Sequence, residues 1–227
     1  MTTSIPQPFQ ETFTKINTLL LHLDTQLGTT SLTKEELSSL AIPSHYSPLA
    51  TIPLSTTPSP SDDLFNLCDL RVGKVLRCEP LPSYTDIYAL SVDLNEQRPR
   101  TIACGLRKHI PAEAIVNTLV IVFANLKPKQ FGKDFASHGM LMCANHLRQQ
   151  FELVQPDSKA KPGDKVYMEG MSCNVSANVA VMPSSKFGKA IEMFSTDEQC
   201  CVMFGMRRLR TTCGVVRAKT LRNAHVG

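Results

Sequence analysis

Three short runs, Thr101–Cys104, Leu119–Phe123 and Met140–Ala144, constrain the fold of this chain more than any other feature. Each holds four or five mostly apolar residues, and the central one, LVIVF, is rich in β-branched side chains. Runs of that length and composition read as buried strands rather than as pieces of helix. Gly105 stops the first run. A basic cluster follows, Arg107-Lys108-His109, and then Pro111 opens a segment, Ala112–Val116, for which about two helical turns are predicted. The second run delivers Asn125, Lys127, Lys129 and Lys133 onto a polar loop. Across 99–144 six basic residues, Arg100, Arg107, Lys108, Lys127, Lys129 and Lys133, face two acids, Glu113 and Asp134. Such a local excess suits a polyanionic partner.

The flanks extend the same pattern. Leu67–Glu79 reads as a strand with Gly73 in its middle, a position that often marks a bulge or bend in a small closed barrel. Pro80 and Pro82 break it. Tyr88, Leu90, Val92 and Leu94 alternate with Ala89, Ser91 and Asp93, as in a strand buried on one face. Residues Asn95–Pro99 make a turn, Phe151–Val154 reads as a fifth strand, and the turn Lys161–Asp164 leads into Lys165–Met168. Five or six short strands with one helix between the third and fourth outline an OB-fold barrel. A β-sandwich fits the strand count equally, and the interposed helix and the mid-strand glycine favour the barrel. Residues 171–227 are less patterned, with a short helix expected over Lys186–Phe194 and strands over Cys200–Gly205 and Gly214–Ala218. That block is too small and irregular to be read as an independent domain.

Ahead of the barrel, Phe13, Ile16, Leu20, Leu23 and Leu27 share one helical face, and Thr33 with Glu36 forms a capping-box pattern. This helical segment, 1–42, is too small for its own core and is expected to dock, either internally or on a partner. Five prolines among serines and threonines make 43–61 a linker. Residues 62–170 then form the barrel domain and 171–227 a C-terminal extension. Charge follows this division. Residues 1–60 carry two basic and four acidic side chains, which leaves 22 basic and 16 acidic for the rest. From Gly205 to Gly227 there are six basic residues and no acid.

Several chemistries are unsupported. The eight cysteines form no CxxC and none has a histidine at zinc-ligand spacing, so no metal or cofactor is expected. Cys104 and Cys143 fall inside strand-like runs and read as small buried hydrophobes. Reduced thiols are the expectation, because the N-terminus shows no signal peptide and the chain reads as cytoplasmic. No apolar run approaches the ~20 residues that span a bilayer, and no membrane role is expected. Nucleophile elbows, P-loops and dinucleotide fingerprints are absent. His138 sits beside Ser137, but neighbours on a strand point to opposite faces and make no nucleophile–base pair. No catalytic residue is assigned, and the chain reads as a non-enzyme.

Asp69-Leu70-Arg71-Val72-Gly73-Lys74-Val75, Pro99–Leu106, Asn125-Leu126-Lys127-Pro128-Lys129, Ser137-His138-Gly139-Met140, Met142-Cys143-Ala144 and Pro162-Gly163-Asp164 occur in that order. Together they closely resemble the tRNA-binding domain family of endothelial monocyte-activating polypeptide II. This family includes the C-terminal domains of synthetase-complex scaffold proteins, yeast synthetase cofactors and some methionyl-tRNA synthetases. Gly214–Asn223 resembles the tail of its eukaryotic type. The resemblance implies an OB-fold whose extension packs on the barrel and imitates the dimer interface of bacterial relatives, so that the barrel stays monomeric. It also implies a non-catalytic tRNA-binding cofactor or scaffold that delivers tRNA to aminoacyl-tRNA synthetases, methionyl-tRNA synthetase among the candidates. Alternatives are a protein–protein adaptor of a synthetase complex or a secreted cytokine-like fragment. Arg71, Lys74, Arg107, Lys108, Lys127, Lys129 and Lys133 are the expected phosphate contacts. Asn125 is expected to fix its loop, and Ser137 and Met140 to shape the groove the RNA enters.

Overall fold

A computed structural model describes residues 60–171 and 180–227. The helices expected within 1–42, most of the 43–61 linker and Cys173 lie outside the described residues. A first helix, α1 (Pro60–Asn66), begins inside the expected linker; Pro60 opens it, and Asp62 and Asp63 complement the positive end of its dipole. Phe65 seats this helix, its ring 5.1 Å from that of Phe204 in an edge-to-face contact.

The barrel is built from β1 (Leu70–Pro80), β2 (Tyr88–Asp93), β3 (Arg100–Cys104), β4 (Leu119–Phe123) and β7 (Met140–Leu141), in the order β3-β2-β1-β4-β7. Between β4 and β7 a small hairpin, β5 (Lys129–Phe131) and β6 (Phe135–Ser137), stands off the sheet. The barrel closes where β3 meets the end of β6: the His138 amide donates to the Thr101 carbonyl at 2.8 Å, and the Ala103 amide donates to the Ser137 hydroxyl at 2.9 Å. Between β3 and β4 the expected two-turn helix is a single 3-10 turn, Ala112–Ala114. Asn117 at φ 64° and the Thr118 hydroxyl, bonded to the Ile115 carbonyl, end it.

β1 and β4 are buried on both faces, which accounts for their apolar runs. On β4, Val120 and Val122 point into the barrel, whereas Ile121 and Phe123 point the other way, into a second core. On β1, Leu70 and Val72 belong to that second core and Val75 and Cys78 to the barrel. The change of parity comes from a bulge between Val75 and Arg77. The expected bulge at Gly73 is therefore two residues further on, and Gly73 serves packing instead. A Cβ there would lie 2.6 Å from Val92 Cγ1 and 3.0 Å from Leu94 Cδ2 inside the barrel.

The second core is shared with the extension. A seven-stranded sheet runs β10-β13-β12-β11-β14-β8-β9, mixing β8 (Cys143–His146), β9 (Gln150–Leu153) and β10 (Tyr167–Met168) with β11 (Phe194–Thr196), β12 (Val202–Phe204), β13 (Arg207–Arg210) and β14 (His225–Val226). The helix α2 (Ser184–Glu192) closes this core through Phe187 and Ala190. Gly214–Ala218, expected as a strand, makes isolated bridges at Val215 and Arg217. β13 was not foreseen, because a single buried Leu209 among arginines gives no alternation to read. Cys104 and Cys143 are buried as expected, and burial pushes the Cys104 thiol up to about 12 and the Cys143 thiol higher still.

Candidate nucleic-acid interface

The segment after β4 is held from beneath. Asn125 is buried; its carboxamide oxygen accepts from the Asp69 amide at 3.0 Å, and its nitrogen donates to the carbonyls of Leu67 at 2.9 Å and Ala180 at 2.7 Å. That anchoring leaves Lys127, Pro128 and Lys129 exposed above it. The same economy explains the Ser137–Met140 motif. Ser137 is buried and spends its hydroxyl closing the barrel, accepting from Ala103 and donating to the Gly139 carbonyl at 3.0 Å. Gly139 adopts φ 141°, and a Cβ there would press to 3.0 Å from the Phe123 carbonyl, so a side chain at 139 would force β7 off β4. Met140, paired with Phe123, then sits half-buried beside the second core.

Two open grooves flank this segment, with Leu126 as their common wall. One, of about 340 Å³, is lined by Lys127, Lys129, Phe131, Ser137, Met140 and Phe187. Its rim is cationic, and the Lys129 ammonium lies 5.2 Å from the centre of the Phe131 ring. Arg107 approaches from the barrel side. Its guanidinium donates to the Tyr84 carbonyl at 2.7 Å, and the Tyr84 ring packs edge-on against Phe131 at 5.8 Å. Lys133 is exposed in the turn of the β5–β6 hairpin. The structure thus gathers Arg107, Lys127, Lys129, Lys133, Ser137 and Met140.

Three other residues on the expected list lie apart. Lys108 lines a different groove, with Phe151, Glu152, Thr220 and Leu221, and the neighbouring His109 ring stacks on Phe151 at 4.2 Å. Arg107 and Lys108, adjacent in sequence, are therefore turned to different surfaces. Lys74 is half-buried on β1, opposite Asp93 of β2. Arg71 belongs to the second groove beside the Asn125 segment, of about 620 Å³, and its charge is engaged. Its guanidinium makes three hydrogen bonds to Asp69 through two of its nitrogens, the shortest at 2.6 Å, and one to Glu96 at 3.1 Å.

Arg100, not singled out from the sequence, completes this cluster. It grips Glu96 through two parallel bonds of 2.6 and 2.7 Å and donates its remaining nitrogen to the carbonyls of Ala124 and His138. Lys165 bonds the other side of Asp69. Asp69 and Arg71 were legible as a pair, because residues two apart on a strand share a face. Burial works to raise the Asp69 carboxyl, yet the hydrogen bonds from Arg71 and Lys165 outweigh it and leave it below its ordinary value. The Arg100 guanidinium lowers Glu96 in the same way, against the effect of burial. Burial would also raise Glu152 and Asp197, but hydrogen bonds from Thr220 and from the Cys201 amide leave both lowered.

Lowered folded-state values mean that the unfolded chain binds more protons near pH 4, so stability rises with pH there. The contribution of these four carboxyls is complete above their ordinary values of 3.8 and 4.5, and drains away as pH falls through the folded ones. Urea denaturation is expected to give a flat stability between about pH 7 and pH 5.5, then a steady decline below about pH 4.5. A midpoint unchanged down to pH 3 would show that these pairs contribute nothing.

Residues 70–165 match the protein family described as "Putative tRNA binding domain". The barrel belongs to this tRNA-binding family. Over 165 residues the chain is 32% identical to a cytoplasmic tyrosine–tRNA ligase of Xenopus laevis, a match covering 71% of this chain and 31% of the ligase. It is 27% identical over 160 residues to aminoacyl tRNA synthase complex-interacting multifunctional protein 1 of Cricetulus griseus, covering 70% of this chain and 44% of that protein. The chain thus spans about a third of the length of the tyrosine–tRNA ligases it matches. The crystal structure of the C-terminal domain of Plasmodium vivax p43 superposes with a TM-score of 0.66 at 23% identity, over 72% of this chain and 98% of that domain. That likeness is one of fold, and it takes in more of the chain than the barrel. Among the described residues no helix is long and apolar enough to cross a membrane.

Proposed function

We propose that this protein is a non-catalytic tRNA-binding cofactor of aminoacyl-tRNA synthetases, working in the cytoplasm and raising the local concentration of tRNA for aminoacylation. The observation that carries the reading is the pair of exposed lysines, Lys127 and Lys129, on a segment fixed by buried Asn125 at the lip of a groove floored by Met140 and Phe187. Ammonium groups carried on a fixed backbone around an apolar floor suit a folded RNA held by its phosphates, with exposed bases resting on Phe131 or Met140. Lys127, Lys129, Lys133 and Arg107 make the phosphate contacts in this reading, and Asn125 and Ser137 hold the surface in shape. Lys74 and Lys108 meet more distant parts of the same tRNA.

The synthetase as partner is supported by the names of the relatives, a tyrosine–tRNA ligase and a synthase complex-interacting protein. Methionyl-tRNA synthetase remains a candidate partner, with residues 1–42 as its dock. In this reading the barrel is monomeric, because β14 and β13 of the extension already pair with β8 and β10. The resemblance would place the active peptide of the cytokine-like alternative at Arg71–Arg77, which lies within β1, paired with β4 in its first half and with β2 in its second, so the fold lends that alternative no support.

A salt titration of the intact chain with unfractionated tRNA tests the reading. For four to five neutralised phosphates, affinity is expected to fall roughly 100- to 500-fold between about 50 and 200 mM salt. Salt-independent binding, or equal affinity for an unstructured RNA of the same length, would overturn it.

A further inference from the structure

The Arg71–Arg100 cluster contains an anion already in place. Glu96 sits in the β2–β3 turn, next to Asn95 at φ 58°, and its carboxylate bridges the two guanidiniums across 3.1 and 2.6 Å. The cluster as a whole is not neutral: Arg71, Arg100 and Lys165 outnumber Asp69 and Glu96. The two acids are held very differently. The Asp69 side chain is 3% exposed and locked between Arg71 and Lys165, whereas that of Glu96 is 28% exposed on a turn. The Glu96 carboxylate reaches Arg71 through a single bond of 3.1 Å and is open to solvent, so an incoming anion can compete with it for both guanidiniums. Two guanidiniums with converging donors are better matched to a phosphate, which offers more oxygens and a firmer bidentate contact than a lone carboxylate.

Position adds to this. The pair opens onto the larger groove, beside Thr101, Pro128 and His138, and one wall, Leu126, separates that groove from the Lys127–Lys129 site. A phosphate chain leaving the lysines has this site next on its path.

We propose that Glu96 is a built-in stand-in for phosphate. Arg71 and Arg100 form a binding site for one backbone phosphate of the bound RNA, and Glu96 swings out when that phosphate arrives. The inference rests on the tRNA-binding reading above and adds a subsite and a gate to it. It also resolves why Arg71, an expected phosphate contact, is engaged within the protein.

Two variants, Glu96→Gln and Glu96→Asp, separate the gate from a structural ion pair when unfractionated tRNA is titrated against the full chain. Glu96→Gln is expected to bind about five- to tenfold more tightly and to steepen the slope of log K against log salt by about one. Glu96→Asp keeps the charge but loses the reach to bridge both arginines, and is expected to gain about threefold. Adding Arg100→Gln to Glu96→Gln is expected to abolish the gain, with thermal melts verifying that each variant is folded. If the wild-type chain binds tRNA but Glu96→Asp is unchanged or weaker, the stand-in is overturned while the tRNA reading survives. If Glu96→Gln alone gains, the effect is one of general charge and the stand-in is likewise overturned. Failure of the wild-type chain to bind tRNA would overturn both.

Discussion

Reversing Lys127 and Lys129 to glutamate is expected to weaken tRNA binding by about 100-fold or more, at unchanged fold. In the proposed interface each lysine would make a charge-assisted contact worth ~1.5–3 kcal/mol, so removing two costs ~3 kcal/mol at the least, and the introduced repulsion adds to it. Both side chains are exposed, and the anchoring of their segment is done by Asn125, so the melting temperature is expected to stay within a few degrees. Neutralising them to glutamine is expected to lower the salt slope by about two, which reports the loss of two phosphate contacts rather than a distant change in shape. An affinity that holds in the double reversal would move the interface elsewhere on the barrel.

Phe123→Ala is expected to be the most destabilising single truncation at the junction of the two cores. Phe123 is fully buried at the end of β4, pairs with Leu70 of β1 and Met140 of β7, and packs its ring edge-on against Phe187 and Phe194 at 5.6 and 6.5 Å. Losing it removes the largest of the side chains that β1 and β4 send into the core shared with the extension, as well as the ring's own burial. A cost of ~3–5 kcal/mol follows for a buried phenylalanine, with a fall in melting temperature of about 6–20 °C. Urea denaturation followed by fluorescence and by circular dichroism checks a second point. Because β1 and β4 carry side chains of both cores, the wild-type transitions are expected to coincide, and those of the variant to separate. A cost below ~1 kcal/mol would mean that the two cores are independent.

Much of the barrel was legible because its strands carry their own signals. LVIVF and the alternating Tyr88–Asp93 fall where the composition places them, since two buried faces demand a continuous apolar run and one demands alternation. The extension was harder to read. Its strands are two to four residues long and draw their partners from β8 and β10, so their pairing depends on neighbours that no local window contains. The site divides in the same way. Exposed lysines on the Asn125 segment follow from order and motif, whereas the divergence of Arg107 from Lys108 depends on which way a backbone turns after Leu106. In the sequence Glu96 is only one residue of the Asn95–Pro99 turn. A lone acid between Asn95 and Gln97 carries no signal until two arginines, one from β1 and one from β3, are brought to either side of it.

The seven-stranded sheet also sets a timetable. Asn145 of β8 pairs with His225 of β14, 80 positions later in the chain. At a synthesis rate of ~5–20 residues per second, the β8–β9 hairpin, complete at Leu153, waits about 4–14 s on a ribosome before its third strand exists. Throughout that interval it is an open edge, the kind of surface that recruits stray strands. The side chains on the hairpin's outer half, His146, Arg148, Gln150 and Glu152, are polar, and Glu152 later takes the amides of Thr220 and Leu221. The carboxylate that finally fastens the tail thus waits on β9, one strand across from the unfinished edge, before the tail that it binds has been made.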